Sequence, residues 1–161
     1  MERRELFTSF TKPFKQTDES LVVRPPYFEN ENDFSNGCIE CESKDCATIC
    51  EEQIIIIQKD GTPILNFSSS GCTYCDECAK ACNHGILKIE NLKNINLIFS
   101  IDTAKCMSWN STMCFSCKDP CLDNAIEFTA MFKPIIHENL CTSCGFCIGV
   151  CPSDAIKIKK G

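Results

Sequence analysis

The sequence predicts an α+β chain made of two small, pseudo-symmetric modules, and three observations lead to this prediction. The 161 residues include sixteen cysteines, about one residue in ten, which is far above ordinary usage. These cysteines fall into four groups of four, which indicates a repeated unit. Each group ends in an expected helical turn, and short apolar runs separate the groups. Without the cysteines the apolar content supports only a thin core, so disulfides or metal must help to stabilise the fold.

The N-terminal segment helps to decide between disulfides and metal, because disulfide scaffolds belong to oxidising compartments. Residues 1–14 read MERRELFTSFTKPF and hold no apolar segment of the kind that a signal peptide needs. Arg3-Arg4 is similar to a twin-arginine signal, but polar residues and Pro13 follow it. We therefore expect a cytoplasmic protein with reduced thiols and no transmembrane segment. The net charge of −6 argues against nucleic acid as a partner.

The spacing within the groups predicts iron–sulfur clusters. Groups two and four have the spacing C-x2-C-x2-C-x3-C, which is the bacterial ferredoxin pattern for [4Fe–4S] clusters. Group one has a longer spacer before its third cysteine, and group three has seven residues between its first two cysteines. The sixteen candidate iron ligands are Cys38, Cys41, Cys46 and Cys50 in group one, Cys72, Cys75, Cys78 and Cys82 in group two, Cys106, Cys114, Cys117 and Cys121 in group three, and Cys141, Cys144, Cys147 and Cys151 in group four.

The fourth cysteine of such a run ligates the cluster of a partner run. Four groups therefore predict four clusters in two bacterial-ferredoxin-like two-cluster modules. Tandem pairing joins group one with two and three with four, whereas nested pairing joins one with four and two with three. Asp60-Gly61 is a hairpin signal between two apolar runs and favours tandem pairing. The corresponding division is an extended N-terminal arm over 1–35, a first module over 36–92 and a second over 93–161.

The apolar runs between the groups have strand character. Two of them flank Asp60-Gly61, and two more lie between groups three and four. The expected strands are Ile54–Ile57, Ile64–Phe67, Ile86–Ile89, Asn96–Phe99, Ala125–Phe128, Pro134–His137 and Ala155–Ile158.

Each functional interpretation has a simpler alternative. The cysteine groups could bind zinc, although zinc ligands usually come as two separated C-x2-C pairs. Cys106 could be a spare thiol if group three has lost its cluster. Trp109 could contact a partner or cover a cluster, and His84 is expected in a turn. A fully ligated cluster has no open iron, and nucleotide motifs are absent from the sequence, so we expect a protein that is not an enzyme by itself.

Beyond its cysteines, the chain resembles the NapF-type ferredoxins of periplasmic nitrate reductase systems. The resemblance rests on Arg3-Arg4, on Arg24-Pro25-Pro26-Tyr27 and on the insertion 107–113, which lengthens only the third group. It covers essentially the whole chain. The sequence departs from the ferredoxin template where Cys50, Cys82 and Cys121 lack a following proline.

The resemblance implies a cytoplasmic partner and a role. The implied partner is the catalytic subunit of periplasmic nitrate reductase in its cytoplasmic precursor form. The implied role is maturation of that subunit before export, through contact and a supply of electrons or iron–sulfur units. The alternative is a one-electron carrier that feeds a reductase or quinol chain, and a zinc-bearing interaction module is a remote third.

Overall fold

The computed structural model describes residues 21–130 and 132–161. The helices of this part of the chain are single turns, and none has the length and apolar character that crossing a membrane requires. In chain order the elements are a π-helical turn Phe34–Cys38, α1 Asp45–Thr48, β1 Ile55–Ile57, β2 Pro63–Leu65, α2 Glu77–Lys80, a 3₁₀ turn Ile89–Asn91, β3 Leu97–Ile101, β4 Ile126–Thr129, β5 Lys133–Ile136, α3 Phe146–Gly149 and β6 Ile156–Lys160.

Three antiparallel strand pairs organise the described chain around the cysteine groups. β1 pairs with β2 between groups one and two, which confirms the hairpin predicted at Asp60-Gly61. β4 pairs with β5 between groups three and four. β3 precedes group three and β6 follows group four, and these two strands pair from Leu97 opposite Lys160 to Ile101 opposite Ile156. Groups three and four therefore lie between two strands that pair with each other.

The part of the chain that holds groups one and two, here called the first half, closes in a similar way through a smaller contact. The part that holds groups three and four is called the second half. A single antiparallel bridge joins Phe28 to Leu87, so the segment before group one meets the segment after group two. The Lys88 amide also donates to the Tyr27 carbonyl at 2.8 Å. Groups one and two are thus enclosed between these two segments, as groups three and four are between β3 and β6.

Residues 21–35, the last part of the predicted arm, pack against the rest of the described chain. Tyr27 is 1% exposed and Phe34 is fully buried, and both belong to the hydrophobic core. Arg24 fixes this segment to the first hairpin, because its guanidinium donates to the Thr62 hydroxyl and to the Pro63 carbonyl, each at 2.9 Å. These aromatic side chains pack without helical or strand periodicity, which is why the sequence pattern missed them. Arg3-Arg4 and the rest of 1–20 lie outside the described residues.

The core is thin and contains cysteine thiols. Its apolar members come from the hairpin β1–β2, from β3 and from the segments around them. Cys78 and Cys147 are buried members of the same cluster, at 9% and 8% exposure. Since thiols occupy positions that aliphatic side chains fill in an ordinary core, burial alone contributes less stability here than in most chains of this length.

The two halves meet where the group-two loop faces the group-four loop. The Cys72 amide donates to the Cys144 carbonyl at 2.6 Å. The Tyr74 hydroxyl donates to the Thr142 carbonyl, and it accepts a hydrogen bond from the Ile95 amide at 3.1 Å. Backbone of one half therefore bonds directly to backbone of the other.

Tyr27 holds Tyr74 in place for this contact. The Tyr27 hydroxyl donates to the Tyr74 carbonyl at 2.8 Å and accepts from the Asp76 amide at 3.1 Å. Burial raises the pKa of Tyr27 to about 12 and also raises the pKa of Tyr74. Both phenols are protonated at neutral pH, and the raised pKa extends their role as hydrogen-bond donors into the alkaline range.

Removing either phenol oxygen tests these assignments at a single amide. We expect Tyr74→Phe to speed hydrogen exchange at the Ile95 amide, and Tyr27→Phe to speed it at the Asp76 amide, because each amide loses its acceptor. A buried group without a partner costs about 1–3 kcal/mol, so the loss of protection should be easy to measure. Each variant is the control for the other. The same exchange pattern in both variants would contradict the bonding described.

Candidate iron–sulfur sites

The structure places the sixteen cysteines around four cavities, with four thiols at each. We number the cavities by the group that supplies three of the four. Site 1 is lined by Cys38, Cys41, Cys46 and Cys82, site 2 by Cys50, Cys72, Cys75 and Cys78, site 3 by Cys106, Cys114, Cys117 and Cys151, and site 4 by Cys121, Cys141, Cys144 and Cys147.

Each cavity combines three cysteines of one group with the fourth cysteine of another. Cys82 of group two lies with group one, and Cys50 of group one lies with group two. The second half repeats this exchange, with Cys151 at site 3 and Cys121 at site 4. The exchange takes place between groups one and two, and likewise between groups three and four.

One-turn helices position the third cysteine of groups one, two and four. Cys46 lies in α1, Cys78 in α2 and Cys147 in α3. The residue before each helix has a left-handed backbone, with φ of 49° at Lys44 and 88° at Gly145. This conformation turns the chain sharply from the loop into the helix, so that the loop cysteines and the helix cysteine face the same cavity.

All four groups end in the same turn. The third residue after the last cysteine has a positive φ in each group, and its amide donates to the carbonyl of that cysteine. These residues are Gln53, Gly85, Asn124 and Asp154, with N···O distances of 3.0, 3.1, 3.2 and 3.4 Å. Group three therefore shares the backbone conformation of the other groups at this turn, despite its unusual spacing.

The long insertion of group three folds back so that its first two cysteines face one cavity. The Ser108 hydroxyl donates to the Cys114 carbonyl at 2.6 Å and accepts from the Cys114 amide at 3.2 Å. The Asn110 side chain donates to the carbonyls of Thr103, Ala104 and Cys106. The seven inserted residues thus form a compact loop, and Cys106 lies beside site 3 with Cys114.

The structure also places Trp109 and His84, which the sequence analysis singled out. Trp109 is half-buried, its indole N–H donates to the Pro134 carbonyl at 3.1 Å, and Lys133 lies 5.0 Å from its ring centroid. The side chain therefore fastens the insertion to β5. His84 lies in a turn at the edge of site 1, in agreement with the expected turn position.

Burial makes the thiols reluctant to ionise on their own. Burial, and after it the neighbouring thiolates, raise the pKa of Cys46 and Cys72 to about 11 and the pKa of Cys78 and Cys117 to about 12. The pKa of Cys147 is raised in the same way. Iron ligation needs thiolates, so the positive charge of iron must offset both effects, and loading releases protons.

Backbone amides approach the sulfurs at equivalent places in the two halves. The Leu87 amide donates to Cys82 Sγ at 3.4 Å, and the Ala155 amide donates to Cys151 Sγ at 3.2 Å. Amide donors of this kind stabilise negative charge on ligating sulfur and tune a cluster's reduction potential. Cys82 and Cys151 are the exchanged cysteines of sites 1 and 3.

The donor sets fit [4Fe–4S] clusters better than single ions. Within residues 21–130 and 132–161, no three side chains of His, Cys, Asp or Glu converge closely enough to hold one metal ion. The cysteines instead line four cavities, with four cysteines at each cavity. A cubane takes one thiolate at each of its four irons, so its ligands surround a group of atoms and not a point.

Comparison with known proteins agrees with this chemistry. Residues 37–86 match the 4Fe-4S dicluster domain family, and residues 134–157 match the 4Fe-4S binding domain family. Ferredoxin-type protein NapF of Escherichia coli K12 is 32% identical over 138 residues, which cover 83% of this chain and 82% of that protein. Ferredoxin-type protein NapG of the same strain is 29% identical over 161 residues, covering 85% of this chain and 69% of NapG. The methylamine utilization ferredoxin-type protein MauM of Methylorubrum extorquens is 27% identical over 150 residues, covering 80% and 67%.

The fold elements, the thiol-lined cavities and these matches define a class. The chain is an iron–sulfur protein of ferredoxin type, with [4Fe–4S] binding domains and a role in electron transport. Within that class it belongs to the family of NapF ferredoxin-type proteins.

The sequence pattern missed the residues that join the two halves. Tyr74 lies inside the group-two loop and Thr142 inside the group-four loop. The sequence pattern assigned roles only to the cysteines of these loops. Tyr27 entered the sequence argument only as part of a family resemblance. The signal available was a large aromatic side chain within a short ligand loop, which suggests packing against another part of the chain.

Ser108 offers a test of the group-three site. We expect Ser108→Ala to lower the iron content from about sixteen toward about twelve atoms per chain, because the loop that holds Cys106 beside Cys114 loses both of its closing bonds. Anaerobic iron and sulfide analysis measures this loss. Thr103→Ala is the matched control, since Thr103 is exposed and only its backbone carbonyl is used. Equal iron in the two variants would show that Ser108 does not hold the site together.

Proposed function

We propose that the four cavities hold four [4Fe–4S] clusters and that all sixteen cysteines are iron ligands. The observation that carries this proposal is the exchange of fourth cysteines between groups, because two-cluster ferredoxins ligate their clusters in this way. The shared turn after each group supports a real site at group three. The reciprocal bonds of Ser108 support Cys106 as a ligand of site 3.

We further propose a tandem arrangement of two modules, the first holding sites 1 and 2 and the second holding sites 3 and 4. The exchange of cysteines within each pair of groups supports it. So does the match of residues 37–86 to a dicluster domain, since that range spans groups one and two. Pairing of β3 with β6 around groups three and four gives the second module a boundary of its own.

The proposed chemistry is the transfer of single electrons. A [4Fe–4S] cluster with four thiolate ligands accepts and releases one electron and has no free iron for a substrate. The chain's own residues bury the thiolates, supply N–H donors to sulfur and hold the sites at fixed spacing. These are properties of an electron carrier and not of an enzyme that binds a substrate.

The proposed biological role is maturation of the catalytic subunit of periplasmic nitrate reductase, in the cytoplasm and before export. It rests on membership of the NapF family and on the family resemblance of the Arg24–Tyr27 segment and the third-group insertion. Contact with the precursor would deliver electrons or iron–sulfur units to it. The second candidate is a one-electron carrier that feeds a reductase or quinol chain, which the match to 4Fe-4S binding domains supports.

Metal analysis tests the proposed cofactor. We expect the anaerobically purified chain to contain about sixteen iron and about sixteen sulfide per molecule, with EPR signals of [4Fe–4S] clusters after reduction. A content of about twelve iron atoms would show that group three holds no cluster. Zinc at stoichiometric amounts without sulfide would replace the proposal with a zinc-bearing interaction module.

Selective capture tests the proposed role. We expect the immobilised holoprotein to retain the nitrate reductase catalytic subunit as a precursor, with its export signal attached and its cofactors absent, in preference to the mature enzyme. An unrelated exported precursor is the control for binding to the signal alone. Equal or stronger binding of the mature enzyme would favour the electron-carrier alternative and contradict maturation.

A further inference from the structure

The contact between the group-two and group-four loops joins two particular sites. Cys72 lines site 2 and Cys144 lines site 4. The amide of Cys72 bonds to the carbonyl of Cys144 at 2.6 Å, so the two ligand loops touch without any intervening side chain.

Within each half, the two sites are joined by a single helical turn. Cys46 lines site 1 and Cys50 lines site 2, and they lie four residues apart around α1. Four residues of helix rise about 6 Å. The second half has the same arrangement, with Cys147 at site 4 and Cys151 at site 3, around α3. The order of sites in space is therefore 1, 2, 4, 3, which differs from the order of the groups in the sequence.

Gly71 is the residue that permits the close approach of the loops. A Cβ atom at this position would lie 2.5 Å from the Phe146 amide nitrogen and 2.7 Å from the Cys144 carbonyl oxygen. Real Cβ atoms do not come this close to backbone, so the loops would have to separate. On the opposite side, Gly145 leaves room for the Phe67 ring, and a Cβ at Gly149 would lie 3.1 Å from the Ser68 carbonyl oxygen. The surface between the halves thus depends on three glycines.

We propose that electrons cross between the two halves at the contact of Cys72 with Cys144, with Gly71 as the positioning residue, and that sites 1 and 3 are the two ends of the path. In the crossing step site 2 loses one electron and site 4 gains it, or the reverse, and no proton, atom or bond moves. An external one-electron donor of low potential supplies the electron, and dithionite serves as that donor in the test. This inference rests on the four proposed clusters and is independent of the proposed partner.

The packing at the crossing supports a fixed distance between sites 2 and 4. Gly71 and Ser143 are buried, and the Ser143 hydroxyl donates to the Leu97 carbonyl at 2.6 Å. The bond from Tyr74 to Thr142 lies beside the bond from Cys72 to Cys144 and prevents the loops from sliding past each other. A rigid, short contact between two redox sites is what rapid exchange of electrons requires.

The test uses the holoprotein, fully reduced with dithionite, and compares Gly71→Ala with Gly37→Ala. Both glycines directly precede the first cysteine of their group and neither has a positive φ. A Cβ at Gly37 meets only the flexible end of the Ile86 side chain and a distant His84 Cβ within the first half. The readouts are iron content and the spin–spin broadening of the EPR signal. A residue with a merely structural role would lower the iron content, and in fully loaded protein it would leave the broadening unchanged.

We expect both variants to retain the iron of the parent protein, and only Gly71→Ala to weaken the broadening that arises between the halves. Unchanged broadening in Gly71→Ala at full iron content would overturn the proposed crossing. If the parent protein itself lacks the iron of four clusters, the proposed cofactor fails, and this is distinguishable from failure of the path.

A second pair of variants decides the matter if Gly71→Ala loads poorly. Cys75→Ser removes a thiol of site 2 and Cys41→Ser removes the equivalent thiol of site 1. Without site 2, the signal of site 1 should become that of an isolated cluster beside a coupled pair. Without site 1, the three remaining clusters should stay coupled. The opposite pattern, or identical spectra, would overturn the order 1, 2, 4, 3.

Discussion

The cost of burying clustered thiolates is the constraint on which the rest of this structure depends. Sixteen thiols are grouped four at a time in partly buried cavities, where burial and mutual charge both raise their pKa. Such a set is stable as thiolate only when cations lie between the sulfurs. The thiolate sites therefore need positive charge that the chain itself does not supply, and iron supplies it in the proposed holoprotein.

The other features of the fold follow from this constraint. Short strands in pairs and one-turn helices are sufficient because each element has only to deliver one or two thiols to a cavity. The exchange of Cys50 and Cys82 between groups one and two ties both loops to both sites. The thin apolar core is adequate as long as ligation holds the loops together.

Local chemistry was predictable from the sequence, and long-range packing was not. The hairpin at Asp60-Gly61 follows from its turn residues, and the division of the cysteines into four groups follows from their spacing. The burial of Tyr27 and Phe34 carries no periodic signal, because isolated aromatic residues in a proline-containing segment can lie inside or outside a fold. The contact of Cys72 with Cys144 joins positions far apart in the chain, and no residue pattern marks it. Group three lay between these cases, since its spacing was irregular while its closing bonds through Ser108 could be seen only in three dimensions.

The dependence of the fold on its bound metal is tested most directly by removing the iron. The holoprotein is treated anaerobically with a strong iron chelator. Hydrogen exchange across the chain and, separately, the far-UV circular dichroism then measure how much structure remains. We expect the amides of β3 and β6 and the Ile95 amide to lose protection as iron is lost, and the dichroism to fall with them, because ligation supplies stability that the core lacks. An iron-free chain that keeps these amides protected and unfolds cooperatively would contradict the central role given to the thiol sites.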